Sequence, residues 1–168
     1  DKFARIPILT EKEKENPINL TKLCLVPDWG ILVGTDRAGL KFYDRHNRKT
    51  ETVIPDIQVR DIKQCSENTY WIASESGVYI LNMADRSITH LQKSLTNEYT
   101  ISDNAAYSIT KDREGGIWVT TFFGGINYLP KEYVPFKYFI GGKTHPGMPG
   151  NAVREICPDQ YGNLWLGT

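Results

Sequence analysis

The sequence predicts an all-β fold, a β-propeller fragment built of four-stranded antiparallel blades, and three observations carry that prediction. The first is a repeat: Ala106–Thr121 and Val153–Thr168 share one residue pattern, 47 residues apart. Ile109, Asp112, Gly115, Ile117 and Trp118 of the first copy answer to Ile156, Asp159, Gly162, Leu164 and Trp165 of the second. The second is the period. Worn copies at Ile62–Ser74, with Trp71, and at Leu23–Thr35, with Leu32 in the tryptophan position, give column spacings of 39, 47 and 47 residues. Periods of about 40 to 50 residues belong to propeller blades, units that bury their faces only against their neighbours. The third is local pattern: apolar residues alternate with period two, the strand signal, and helical periodicity is nearly absent.

The elements follow in order. Residues 1–19 read as the outer strand of a preceding blade, Phe3–Ile8, and a connecting loop; Thr10–Glu15 is a charged run broken by Pro17 and is expected as an exposed loop. Blades are expected over 20–58, 59–105 and 106–151, with the first half of a further blade over 152–168. Each copy opens on an alternating first strand such as Tyr107–Lys111 or Val153–Cys157. Asp-x-x-Gly then supplies a turn, because Asp bonds backbone two residues on and Gly accepts positive φ. The second strand carries the tryptophan and ends on a hydroxyl at Thr35, Ser74, Thr121 and Thr168. Glycine precedes the third strands, Leu40–Tyr43, Val78–Asn82 and Ile126–Leu129; fourth strands are expected at Thr50–Ile54, Ile88–Leu91 and Phe136–Ile140. Three whole blades with partial ones at both ends fall short of the four to eight that close a propeller. The chain is therefore expected to be a piece of a longer array.

Twenty basic and twenty acidic residues balance to zero formal charge with no basic stripe, which argues against a nucleic-acid surface in this segment. Apolar runs are too short to span a membrane. Cys24, Cys65 and Cys157 fall in first strands of different blades and read as small buried hydrophobes; no zinc-ligand spacing occurs, so neither metal nor cofactor is expected. No nucleophile elbow, phosphate loop or metalloprotease helix is present, and His46, His90 and His145 are scattered, so the chain is not expected to be an enzyme.

The pattern Ile-x-x-Asp-x-x-Gly-x-Leu/Ile-Trp, followed by Gly124-Gly125-Ile126-Asn127-Tyr128, resembles the two-component-regulator propeller repeat, and Ile101–Asn104 and Pro149–Asn151 resemble its lead-in segments. The resemblance covers 20–168, strongest in the last two copies. It implies the periplasmic sensor region of a Bacteroides-type hybrid two-component system, part of an inner-membrane protein with tandem propellers and a cytoplasmic histidine kinase, receiver and DNA-binding parts. It further implies an oligosaccharide ligand, control of polysaccharide-utilisation genes, a homodimeric parent, and contact with the remaining blades of the same protein. Two rivals stand beside this reading: an interaction scaffold, and a propeller lyase or glycosidase with acid and base residues at its channel.

Residues fixed in the repeat are expected to serve structure. Trp71, Trp118 and Trp165 sit mid-strand and read as packing between blades, as do Ile62, Ile109 and Ile156; Asp112 and Asp159 serve their turns. Residues that break the repeat are the functional candidates. Phe122-Phe123 occupies a turn where siblings have Asp36-Arg37 and Glu75-Ser76, and is costly to expose, so it meets either a ligand or a neighbouring surface. Trp29 replaces a turn glycine at the opposite edge and reads as a loop contact or a ligand platform; the insert Gly141–Gly150, with Lys143 and His145, is long enough to be functional. Ligand contacts are expected at one edge, from Asp36, Arg37, Glu75, Asn104, Phe122, Phe123, His145 and Asn151, with Trp29, Glu114 and Tyr161 on the other. Aromatic faces with amide and charged groups suit a polar ring that has apolar faces.

Overall fold

The computed structural model describes residues 3–97, 100–131 and 152–167, and the chain divides into two compact units, Asp1–Glu132 and Tyr133–Thr168. In the first unit, β1 (Leu20–Val26), β2 (Gly30–Thr35), β3 (Leu40–Asp44) and β4 (Lys49–Ile54) pair in sequence order as one antiparallel sheet. A second sheet repeats this with β5 (Val59–Gln64), β6 (Thr69–Ser74), β7 (Gly77–Asn82) and β8 (Ile88–Leu91). A third holds β9 (Ala106–Lys111), β10 (Ile117–Thr121) and β11 (Ile126–Leu129); the fourth strand expected over Phe136–Ile140 lies outside the described residues. The second unit contains the hairpin β12 (Glu155–Pro158) and β13 (Leu164–Gly167). These are the blades of an all-β propeller fragment.

Two apolar layers lie between the three sheets, and β6 shows how one sequence feeds both. Tyr70 and Ile72 join Leu32, Phe42 and Val59 in the layer shared with the first sheet. Trp71 and Ala73 point the other way and join Ile109, Ile117 and Val119 in the layer shared with the third. A strand covered on both faces loses its polar alternation, which is why Tyr70–Ser74 is buried throughout. In β10 the pattern alternates: Ile117 and Val119 are buried in the layer shared with the second sheet, while Trp118 and Thr120 are exposed. Burying each large apolar side chain contributes about 1.5–3 kcal/mol, so the interblade layers, not the separate sheets, carry the stability.

The hydroxyl that ends each second strand closes the turn into the third. Thr35 Oγ1 donates to Gly39 O (2.8 Å), Ser74 Oγ to Gly77 O (2.8 Å) and Thr121 Oγ1 to Gly125 O (3.1 Å). Gly39 has φ +76°, and a Cβ there would collide with the carbonyl of Ile54 on the facing strand, so the turn needs glycine on two counts.

Three expectations change. Phe3–Ile8 forms no strand; its contact with the first sheet is a bond from Thr50 Oγ1 on the edge strand to Pro7 O (2.9 Å). The Thr10–Glu15 run, expected as an exposed loop, is exposed except at Glu13, but it contains a 3-10 turn, Glu13–Glu15. Thr10 and Glu13 bond reciprocally across that turn, in the manner of a capping box. Glu13 also pairs with Lys41, whose side chain on β3 is only 2% exposed and also donates to Thr52 Oγ1 (2.9 Å). A buried ammonium needs a counter-charge, and the charged run supplies it. Of the cysteines, Cys65 is buried and Cys24 half-buried, but Cys157 is exposed.

Candidate functional site: an aromatic edge built on strand bulges

One backbone bond recurs at the edge where second strands turn into third strands. Asp36 N donates to Asn19 O (3.1 Å), Glu75 N to Gln58 O (3.3 Å) and Phe122 N to Ala105 O (2.9 Å). Each bond ties a turn to the segment leading into its own first strand, so these turns and lead-ins share one edge in all three sheets.

Each first strand then carries an extra residue. The register between β1 and β2 skips Thr21, that between β5 and β6 skips Arg60, and that between β9 and β10 skips Tyr107. Bulges of this kind re-aim a side chain and gather beside functional sites. Here they turn Arg60 and Tyr107 towards one another across two sheets. The Arg60 guanidinium lies 4.9 Å from the Tyr107 ring centroid, and its Nε donates to Glu75 Oε1 at 2.7 Å. Tyr107 stacks on Phe122 (5.6 Å, 29°), and Phe122 meets Phe123 edge to face (4.5 Å, 86°). The result is a ladder from carboxylate to guanidinium to three rings, ending on Phe123, which is 86% exposed.

The turn that presents the phenylalanines is fixed from behind. Phe123 N donates to Asp103 Oδ2 (3.0 Å), Ser102 Oγ donates to Gly124 O (2.7 Å), and Ser102 N donates to Asn127 Oδ1 (2.8 Å). The turn is thus held by polar bonds, while Phe122, packed on Tyr107, and Phe123 keep 59% and 86% of their surface exposed.

Of the residues expected at this edge, Glu75, Phe122 and Phe123 come together, through Arg60 and Tyr107, which the sequence reading missed. Asp36 is engaged elsewhere: its carboxylate accepts from Asn19 N (2.9 Å) and Asn19 Nδ2 (2.8 Å), and those bonds hold it below the usual carboxylate range. Arg37 is exposed beside it. Asn104 Oδ1 accepts from Lys93 N (2.7 Å) and so braces a loop. His145, Asn151 and the whole Gly141–Gly150 insert lie outside the described residues. At the other edge of the first unit Trp29 is 54% exposed and Glu114 is exposed; Tyr161, in the second unit, is exposed within its own hairpin turn.

The repeat positions form their own device. Asp112 Oδ1 accepts from the Glu114 (3.0 Å) and Gly116 (2.7 Å) amides, while Oδ2 accepts from Trp118 Nε1 (2.9 Å). Asp159 does the same with Tyr161 N (2.8 Å), Asn163 N (2.9 Å) and Trp165 Nε1 (3.2 Å). The Trp118 indole holds the Asp112 carboxyl below its ordinary range, and the Asn163 side chain and amide hold Asp159 at about 2. Trp71 has Cys65 six residues before it instead of an aspartate, and is 7% exposed. Ile62 and Ile109 are buried; Ile156 is exposed.

A polar column in the first strands also escaped the sequence reading. Lys22, Asp61, Ser108 and Glu155 each stand ten residues before the tryptophan column. Asp61 joins three sheets. Its Oδ1 pairs with Lys22 Nζ (2.8 Å), and its Oδ2 accepts from Ser108 Oγ (3.2 Å) and Ile109 N (2.9 Å). Burial pushes its carboxyl up, but the Ile109 amide and the Lys22 ammonium outweigh that and leave it below the usual range. Among the described residues no cluster of potential metal ligands occurs, and no helix is long and apolar enough to cross a membrane.

The model of the two-component regulator propeller family matches residues 100–123 and 147–168. Among solved structures, the chain is similar to the extracellular domain of a protein described as a one-component system from B. thetaiotaomicron, with TM-score 0.64 and 16% identity over 96% of this chain and 22% of that one. It is likewise similar to an extracellular domain described as that of a hybrid two-component system from B. thetaiotaomicron, with TM-score 0.63 and 17% identity over 96% of this chain and 21% of that one. The chain thus spans about a fifth of the length of these solved chains. No curated protein matches it.

Proposed function

We propose that this chain, which carries two-component regulator propeller repeats, is an extracytoplasmic ligand-sensing segment of a hybrid two-component sensor, and that its ligand is an oligosaccharide. The observation that carries the reading is the Arg60–Tyr107–Phe122–Phe123 ladder with Glu75 at its end. Sugar rings offer apolar C–H faces for stacking and equatorial hydroxyls for bonding. Exposed, fixed aromatic rings serve the first, and a guanidinium–carboxylate pair serves the second. The fold shared with extracellular domains of B. thetaiotaomicron signalling proteins supports an extracytoplasmic setting.

In this reading the chain binds and does not turn over its ligand. The remaining blades of a longer protein complete the propeller, and the parent is a dimeric inner-membrane histidine kinase that governs polysaccharide-utilisation genes. A sugar laid across Arg60 and Phe123 touches the second and third blades together, so it favours one relative placement of them. A ligand shifts such an equilibrium only by its differential affinity for the two arrangements.

A glycan-array screen of the chain, followed by calorimetry and product analysis on any hit, tests the proposal. Saturable binding of an oligosaccharide recovered intact supports it. Recovery of cleaved sugar would instead establish a propeller lyase or glycosidase, and silence across neutral and acidic glycans would favour a scaffold.

A further inference from the structure

The edge opposite the aromatic ladder holds a cavity of about 170 Å³ between the first and second sheets, lined by the β1–β2 turn, the β5–β6 turn, Tyr70 and Met83. Tyr70 is fully buried, and its hydroxyl has no hydrogen-bond partner in the protein. A buried hydroxyl without a partner carries a desolvation cost that native structures rarely leave standing. The lining turns, by contrast, have their backbone groups committed. Trp29 N donates to Val26 O (3.1 Å), Arg45 N to Trp29 O (2.9 Å), Gln64 Nε2 to Glu67 O (3.0 Å) and Met83 N to Asn68 O (2.8 Å). Asp28, in the left-handed region at φ 63°, has its carbonyl bonded to the His46 ring (2.7 Å). What these bonds leave uncommitted is side-chain chemistry: the Asp28 and Glu67 carboxylates, which take part in none of the ion pairs among the described residues, the Asn68 amide, and the Trp29 indole face.

We infer that this cavity is a second binding site, distinct from the aromatic ladder, and that it takes a small organic ammonium compound. No lysine or arginine lines it, so two unpaired carboxylates set its potential and disfavour anions. An ammonium group between Asp28 and Glu67 forms charge-assisted hydrogen bonds, while its carbon skeleton lies against Trp29, whose ring attracts cations. Tyr70 is one of the residues that line the cavity, and its unpartnered hydroxyl is the group that a donor or acceptor on the ligand would satisfy. Asp28, Glu67, Trp29 and Tyr70 then each have a use that an apolar or anionic ligand would leave empty.

The test is a titration of the chain with glucosamine, using glucose as the uncharged near-isostere and glucuronate as the anionic one. The readout is the indole resonance of Trp29, assigned by Trp29→Phe. Glucosamine is expected to move that resonance saturably, with glucose at least about tenfold weaker and glucuronate without effect. Tyr70→Phe should weaken glucosamine by about tenfold while leaving the melting temperature unchanged or raised, because it removes an unsatisfied buried hydroxyl. Glu67→Gln, at an exposed position, should weaken it by a similar factor. Equal binding of glucose and glucosamine would overturn the ammonium assignment. No shift with either sugar, or full binding by Tyr70→Phe, would overturn the site.

Discussion

Trp118 donates its indole N–H to Asp112 Oδ2 at 2.9 Å, and Trp165 repeats the bond to Asp159 at 3.2 Å. The two conspicuous residues of the repeat therefore act as one part. The aspartate folds the turn between first and second strands, and the tryptophan that follows fixes the aspartate. Trp118 also lies against Tyr128, its cross-strand partner on β11, with centroids 4.3 Å apart. Replacing Asp112 by Ala frees the indole and the turn amides at once. The expected outcome is a lower melting temperature and a red-shifted Trp118 emission, and an unchanged spectrum would show that the bond does not hold the ring.

Tryptophans of one column do not contribute equally. Trp71 is buried between the second and third sheets, whereas Trp118 is 39% exposed. Trp71→Ala should cost about 3–5 kcal/mol, the range for a buried aromatic, and Trp118→Ala should cost clearly less. Denaturant unfolding of the two variants checks this, and a larger loss at Trp118 would contradict the layer assignment.

Asp61 predicts acid sensitivity. Its carboxyl is depressed in the folded chain, so the stability it contributes is present above the unfolded value of about 3.9 and is lost as pH falls through the lower folded value. Asp61→Asn should flatten the acid limb of a melting-temperature profile. It should also cost about 1–3 kcal/mol at neutral pH, since the Ile109 amide loses its charged acceptor. An acid limb that keeps its slope in Asp61→Asn would assign the sensitivity to other carboxylates.

The buried Lys41 predicts a rescue. Glu13→Ala leaves its ammonium without a counter-charge and should destabilise the first sheet by about 1–3 kcal/mol. Adding Lys41→Met should restore most of that loss, because an apolar side chain of similar length needs no partner. A double variant no more stable than Glu13→Ala in thermal melts would mean that the ion pair is not what fixes the N-terminal turn.

The sheets were legible from sequence because their information is local: Asp-x-x-Gly turns, period-two strands and the terminal hydroxyls all act within one blade. The site was only half legible. Phe122 and Phe123 announced themselves by breaking the repeat, but Arg60 and Tyr107 sit at bulges, and a period-two reading places a bulged residue on the wrong face. The same slip hid Asp61. Val59 and Ile62 share one apolar layer although they stand three positions apart, and the extra residue between them sends Asp61 towards Lys22 and Ser108. Lys41 and Glu13, 28 residues apart, carry no local signal at all.

The central claim is that the bulge-built ladder recognises a sugar, and isothermal titration of Phe123→Ala and Tyr107→Ala with the oligosaccharide that the unmodified chain binds tests it most directly. Phe123 is 86% exposed, so its loss should leave stability within about 1 kcal/mol, while removing one stacking ring should weaken binding by about tenfold. The account predicts weakened binding in both variants, with Phe123→Ala melting as the parent does. Full affinity in both would contradict it.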